Sequence, residues 1–173
     1  MTTIVTARLG NIVEQPDCDA IVNSANPSLR AGSGVCGAIH KAAGPELERY
    51  AIRFAPLGVA QAIATPGFNL HNRLVIHCRG PRYHFDPDPA GNLALCIENV
   101  LWLAEREGVK RIAIPAISMG VYSYPVDEAI PILVSKAIST ASNSGKLQEI
   151  RFVLNSADLH DKFIVTINQL KGK

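Results

Sequence analysis

Gly32-Ser33-Gly34-Val35-Cys36-Gly37 runs directly into Ala38-Ile39-His40-Lys41-Ala42-Ala43-Gly44, so that three glycines at close spacing empty into a helix-like segment. Glycine lets backbone N–H groups approach an anion with no Cβ in the way, and a helix start adds unpaired donors and partial positive charge. The stretch therefore points to a phosphate-bearing ligand. Its letters fit G-x-G-x-x-G, the fingerprint of a dinucleotide-binding fold whose glycines form the turn straight after the first strand. Here the apolar strand candidate Ala20-Ile21-Val22 is separated from Gly32 by the polar loop 23–31. No isolated acid ends a second strand about 20 residues on, where a ribose partner belongs; Glu46 and Glu48 fall in a helical segment instead. The glycines belong to an α/β fold of another kind.

Outward from that run, strand-like and helix-like segments alternate to both ends of the chain. Strands are expected over 3–7, 19–23, 60–66, 73–78, 110–115 and 149–154, and helices over 35–43, 45–54, 92–107, 126–142 and 157–170. Several strands are apolar at successive positions, which predicts a sheet covered on both faces, a three-layer α/β/α sandwich. In the third helix Leu93, Ile97, Val100, Leu101 and Ala104 form one apolar stripe that should lie on the sheet. Gly108 fits its C-terminal cap, Pro45 fits a first helical turn, and the three prolines of 80–89 read as an irregular loop.

At 173 residues the chain is expected to form one domain, 1–173, with no linker or repeat to divide it. It has no apolar run of membrane-spanning length, and residues 1–8 lack a basic and apolar leader pattern. Residence in the cytoplasm, without membrane association, is the expectation. Cys18, Cys36, Cys78 and Cys96 contain no C-x-x-C pair, and neither a metal motif nor a metal or other cofactor is expected. The net charge of +2, with its basic residues spread out, does not call for specific nucleic-acid binding. No G-K-[ST] follows the glycines and no G-x-S-x-G supports pairing Ser118 with His77 or His84.

A second glycine-bearing segment, Pro115-Ala116-Ile117-Ser118-Met119-Gly120-Val121-Tyr122, follows the apolar strand Arg111-Ile112-Ala113-Ile114 and precedes a helix. In open α/β sheets ligands sit outside the carboxyl ends of strands, so two such loops can converge on a diphosphate. Together with Asp19-Ala20-Ile21-Val22-Asn23-Ser24-Ala25-Asn26-Pro27 and Val75-Ile76-His77-Cys78-Arg79-Gly80-Pro81, the two glycine loops resemble, in order and spacing, the macrodomain family. The likeness extends from Gly10-Asn11-Ile12 to the terminal strand and helix, and is closest to the MacroD-type hydrolase branch. It implies a macrodomain-like mixed sheet, binding of ADP-ribose, and hydrolysis of mono-ADP-ribose from protein carboxylates or of O-acetyl-ADP-ribose without a metal. The expected partners are ADP-ribose or an ADP-ribosylated protein. The alternative is a non-catalytic reader of ADP-ribose or a related nucleotide.

By the same resemblance, Gly32, Ser33, Gly34, Val35 and Gly37 and, in the second loop, Ser118, Met119, Gly120, Val121 and Tyr122 clasp the diphosphate, chiefly through main-chain donors. Met119 stands where Thr is usual, and Tyr122 borders the distal ribose. Asn26 orients that ribose and a water, with Asn23 shaping its loop. Cys36 stands where the hydrolytic branch carries an Asp. It is read either as a small neutral thiol lining the pocket or as a nucleophile activated by the helix start, with His40 one turn on. At the adenine end, Asn11, beside Ile12, replaces an Asp, its side-chain carbonyl remaining as an acceptor for the exocyclic amine. Asn155 takes the place of a stacking aromatic, for which Phe152 and Phe163 are possible substitutes or simply core residues.

Overall fold

The computed structural model describes residues 2–172. Its elements follow in the order β1 (Ile4–Leu9), β2 (Ala20–Ser24), α1 (Gly34–Ala43), α2 (Pro45–Ala51), β3 (Ala62–Pro66), β4 (Leu74–Cys78), α3 (Pro89–Arg106), β5 (Arg111–Ile114), α4 (Val126–Ala141), β6 (Glu149–Leu154) and α5 (Ala157–Lys171). The six strands lie side by side as β1-β6-β5-β2-β4-β3. All neighbours are parallel except β3, which runs antiparallel to β4 at one edge. The sheet is therefore mixed.

Side chains alternate across a strand with period two, and here that alternation sorts the core into two layers. Ala20 and Val22, Ile76 and Cys78, Ile112 and Ile114, and Ile150 and Phe152 pack with the buried faces of α3, α4 and α5. Ile21, Val75, Ala113 and Val153 point the other way, onto Ile39 and Ala43 of α1 and Leu47 of α2. Both faces are covered, which is the expected three-layer sandwich. The α3 stripe from Leu93 to Ala104 is fully buried. No described helix is long and apolar enough to cross a membrane.

The boundaries differ from the sequence reading at points with local causes. Helix α3 begins at Pro89 rather than 92, because Asp88, in the left-handed region, accepts a hydrogen bond from the Gly91 N–H at 3.1 Å and Pro89 needs no donor in the first turn. Helix α2 tightens at its end into a 3-10 turn over Ile52–Phe54. Strand β3 starts at Ala62 because Ala60 adopts a positive φ and its N–H is spent on the Arg79 carbonyl. Gly108 does take up the positive φ of a helix C-terminus.

The face under α1 is the more polar one. It holds Arg151 of β6, which is 3% exposed at its side chain and reaches Asp17 at 2.7 Å, Glu149 at 2.9 Å and Gln15 at 2.9 Å. These bonds tie the segment between β1 and β2 down onto the sheet. That segment carries Asn11 and Ile12.

Candidate functional site

The carboxyl ends of β2, β5 and β6 open into a cleft made of two adjoining chambers. One, of about 390 Å³, is lined by Ser24, Ala25, Asn26, Gly32, Ser33, Gly34, Val35, Cys36, Ala116, Ser118, Gly120, Val121 and Tyr122. The other, of about 530 Å³, is walled by Ile12, Val35, Met119, Val153, Leu154 and Leu159, with Asn11 and Asn155 among its polar groups. Gly34, Val35, Ala116 and Gly120 border both. They form a waist between the start of α1 and the loop after β5.

The waist is rich in uncommitted donors. Helix α1 begins after Ser33, whose side chain makes no capping bond, and no acidic residue occupies its first turn. The first N–H of the helix to be used is that of Gly37, bonded to the Ser33 carbonyl at 3.2 Å, which leaves the N–H groups of Gly34, Val35 and Cys36 as the usual orphans of a helix start. Across from them, the N–H groups of Gly120, Val121 and Tyr122 carry no hydrogen bond among the described residues. A Cβ added at Gly120 would meet nothing within 4 Å, so the approach is open.

Two glycines make the loops fit. A Cβ on Gly37 would stand 2.4 Å from the Gly32 carbonyl oxygen, so only glycine lets the first loop fold back on its helix. Gly80, at the end of β4, allows Ser118 and Ile117 to approach to 2.1 and 2.7 Å of where its Cβ would be. Gly37 thus packs behind the wall of the cleft instead of facing it.

Asn23 also lies behind that wall, 1% exposed. Its Nδ2 donates to His77 Nδ1 at 3.1 Å and lies 3.8 Å from Cys36 Sγ. Because Nδ1 accepts, the His77 proton sits on Nε2, which donates to Thr65 Oγ1 at 2.9 Å; Thr65 in turn donates to the Pro66 carbonyl. Burial pushes His77 down to about 3, with His40 nearby adding to the effect, so the ring is neutral. His40 itself is buried rather than on the helix exterior, and its Nε2 has no partner. This chain of side chains, running from β3 to the first glycine loop, was not read from the sequence. The V-I-H-C-R-G-P string on β4 was its visible trace.

The Cys36 thiol donates to the Arg30 carbonyl at 3.4 Å, and burial pushes its pKa up despite the opposing Asn23 hydrogen bond. Neither His40 nor His77 bonds it. The helix-start effect that would favour a thiolate is outweighed, and the side chain is a small neutral group in the wall.

Asn26 faces the first chamber, but most of its amide serves its own loop. Nδ2 donates to the Arg30 carbonyl at 2.8 Å, while Oδ1 accepts from Ser28 Oγ at 2.8 Å and the Arg30 N–H at 3.2 Å. One Nδ2 hydrogen remains. Ser118 holds a positive φ, and its Oγ is buried without a partner. Tyr122 is half-buried at the chamber edge, its hydroxyl pushed up by burial.

At the base end, Asn11 Oδ1 accepts the Val13 N–H at 3.1 Å, closing an Asx turn, and its second lone pair stays open as an acceptor. Asn155 is exposed at the end of β6 and supplies no stacking surface. Phe152 and Phe163 do not replace it: both are fully buried, paired at 4.9 Å in the layer under α5.

The sequence profile of the Macro domain matches residues 22–133, which run from within β2 through both glycine loops to the middle of α4. The chain belongs to the Macro domain family. A macro domain-containing protein of Streptomyces coelicolor is 40% identical over 93% of this chain and 96% of its own length. An uncharacterized protein of Fusobacterium nucleatum is 45% identical over 75% of this chain and 74% of its own. Among solved structures, a mutant Oceanobacillus iheyensis macrodomain with ADPR superposes with a TM-score of 0.93, at 32% identity, covering 99% of this chain and 96% of that one. A Trypanosoma brucei macrodomain in complex with ADP-ribose superposes at 0.82, with 30% identity, over 96% of this chain and 69% of that one. Macrodomain structures thus bind ADP-ribose, and this macrodomain has their mixed-sheet fold.

Proposed function

We propose that this macrodomain binds ADP-ribose and hydrolyses mono-ADP-ribosyl esters of protein carboxylates, or O-acetyl-ADP-ribose, with no metal in the step. The observation that carries the reading is the waist. Two sets of uncommitted backbone N–H groups face one narrow passage between two chambers, the larger walled by Ile12, Val153 and Leu154 and suited to a base, the smaller holding Asn26 and Ser118 and suited to a sugar. A diphosphate in the passage is held by donors that need no reorganisation.

The chemistry asks little of side-chain bases. For a carboxylate ester, a water held in the first chamber attacks the anomeric carbon of the distal ribose, and the C–O bond to the carboxylate breaks with its electron pair leaving on that oxygen. The water proton passes to a diphosphate oxygen and then to solvent. A carboxylate leaves without protonation, so no general acid is required. Positioning supplies the rate, through the free Nδ2 hydrogen of Asn26 and the orphan Ser118 Oγ.

Release of ADP-ribose from a carboxylate-linked mono-ADP-ribosylated protein tests this. The expected result is turnover that survives Cys36→Ala within about threefold and falls by about a hundredfold or more in Asn26→Ala, on the scale of lost positioning. A second reading, a non-catalytic reader, is favoured by the neutral, hydrogen-bonded state of Cys36. ADP-ribose binding by calorimetry with no release at all would establish the reader.

A further inference from the structure

The two large apolar side chains that stand furthest into solvent among the described residues lie on loops that meet at the mouth of the smaller chamber. Val121, 83% exposed, belongs to the second glycine loop and lines that chamber. Phe85, 80% exposed, belongs to the 80–89 loop, which the Tyr83 N–H fastens to the Tyr122 carbonyl at 3.0 Å. The loops form one rim. Its charge is layered: Asp86, 8% exposed at its side chain, turns both oxygens to Arg82, at 3.1 and 3.2 Å, with Arg79 at 3.6 Å. Arg82 is 42% exposed, its guanidinium 5.7 Å from the centre of the Phe85 ring. The loop's other carboxylate, Asp88, caps α3 through the Gly91 N–H. The anion thus sits inside and the cation outside. Arg79 and Arg82 both pull the Tyr122 hydroxyl down against the rise caused by burial, so their charge reaches the chamber. In the Asn26 loop, which also lines the chamber, Arg30 is exposed, and the Glu48 carboxylate is engaged by the Ala31 N–H at 2.8 Å.

We infer that this rim docks the modified protein itself, and that it selects a chain segment carrying an acidic and an apolar residue beside the ADP-ribosylated carboxylate. This rests on the proposed reading of the cleft, in which a protein joined to the distal ribose emerges at this mouth. An exposed Phe and Val contribute nothing to the core, whereas covering them with an apolar side chain of the partner removes both from water. Arginine and aromatic residues are also the types that most often carry interface energy. Arg82 is already held in place by a carboxylate beneath it, so pairing its outer N–H groups with an acidic side chain costs little further side-chain freedom. A nucleic-acid strand asks for cations along its whole backbone, while this rim sets its arginines among apolar groups and the basic residues of the chain are spread out.

Two peptides, each mono-ADP-ribosylated on one central glutamate and flanked either by Asp and Leu or by Ser and Gly, test this on the full chain. Release of ADP-ribose should show a kcat/KM about fivefold higher for the Asp and Leu peptide, with the difference in KM and shrinking as salt rises from about 0.05 to 0.5 M. Arg82→Gln and Phe85→Ser should each at least halve the preference, while calorimetry with free ADP-ribose gives a Kd within about twofold of wild type, because neither side chain lines a chamber. Phe85→Ser removes no hydrogen bond, so it decides the matter should Arg82→Gln disturb the loop. Equal kcat/KM for the two peptides, or a preference unmoved by Phe85→Ser, overturns the inference and leaves the proposed function standing. Loss of the preference on adding a single-stranded oligonucleotide assigns the rim to nucleic acid and overturns it as well. If neither peptide is hydrolysed but ADP-ribose binds, the hydrolase reading falls; the same preference is then read as peptide affinity by fluorescence polarisation, where equal affinities overturn the inference. Binding of neither peptide nor ADP-ribose overturns both.

Discussion

At the level of single residues, the site works by confinement more than by reactive side chains. Gly37 illustrates this: any Cβ there collides with the Gly32 backbone, which cannot swing aside as a side chain would. Gly37→Ala should cost about 1–3 kcal/mol in urea unfolding and weaken ADP-ribose binding in parallel, since the displaced loop carries the waist donors. His77 is legible in another measurement. Its folded pKa, near 3, lies below that of an unfolded histidine, so the unfolded chain takes up a proton first as pH falls. Its contribution to stability should be constant above pH about 7 and drop by up to about 1.4 kcal/mol per pH unit between about 6.5 and 3; His77→Gln should flatten that slope. The sequence pointed to Asn26 and Cys36 as wall residues through the resemblance to macrodomains, which aligns their loops with the family's. It could not show that Asn26 is largely spent on Arg30 and Ser28, or that Asn23 reaches His77, since both depend on contacts that spacing does not encode.

Elements were readable where their pattern is local. The β-branched strands and the α3 stripe announce themselves by period, whereas the start of α3 hinges on one left-handed aspartate, and Pro-rich composition gave no hint of it. Which strand lies beside which was not readable from pattern either. The chain returns β6 between β1 and β5, so that residues 10–12 and 155 reach one chamber from opposite ends of the sequence. Arg151 secures this arrangement from β6. Arg151→Leu leaves the buried Glu149 carboxylate with only the longer Arg111 contact at 3.8 Å among its ion pairs and should destabilise the fold by about 3 kcal/mol, with a matching loss of order around Asn11 visible as faster amide exchange. Hydrogen bonding to Arg151 holds Asp17 down at about 2, below its ordinary value of 3.8. The contribution of that pair is therefore present above pH about 4 and lost as pH falls toward 2, a loss that Arg151→Leu should abolish in acid titration of the unfolding midpoint.

For the molecule as a whole, stability and recognition are held in different places. The large core under α3, α4 and α5 meets the cleft at its edge, through Leu154, Ala116, Met119 and Leu159, and Phe152→Ala, away from that edge, should cost about 3–5 kcal/mol with little change in affinity per folded molecule. Conversely, ADP-ribose at a hundred times its Kd should add about 2.7 kcal/mol, raising the melting temperature by about 5–10 °C for a chain of this size. A thermal shift assay with matched AMP reads the same quantity for half a ligand. The waist shared by Gly34, Val35, Ala116 and Gly120 also has a metric meaning. Its two banks are anchored to a helix and to a strand end, so on the proposed reading the cleft should act as a gauge for the bridge between two sugars. A ligand bridged by a single phosphate should then fail to fill both chambers and one bridged by three should be too long, so that span sorts ligands alongside base and hydroxyls.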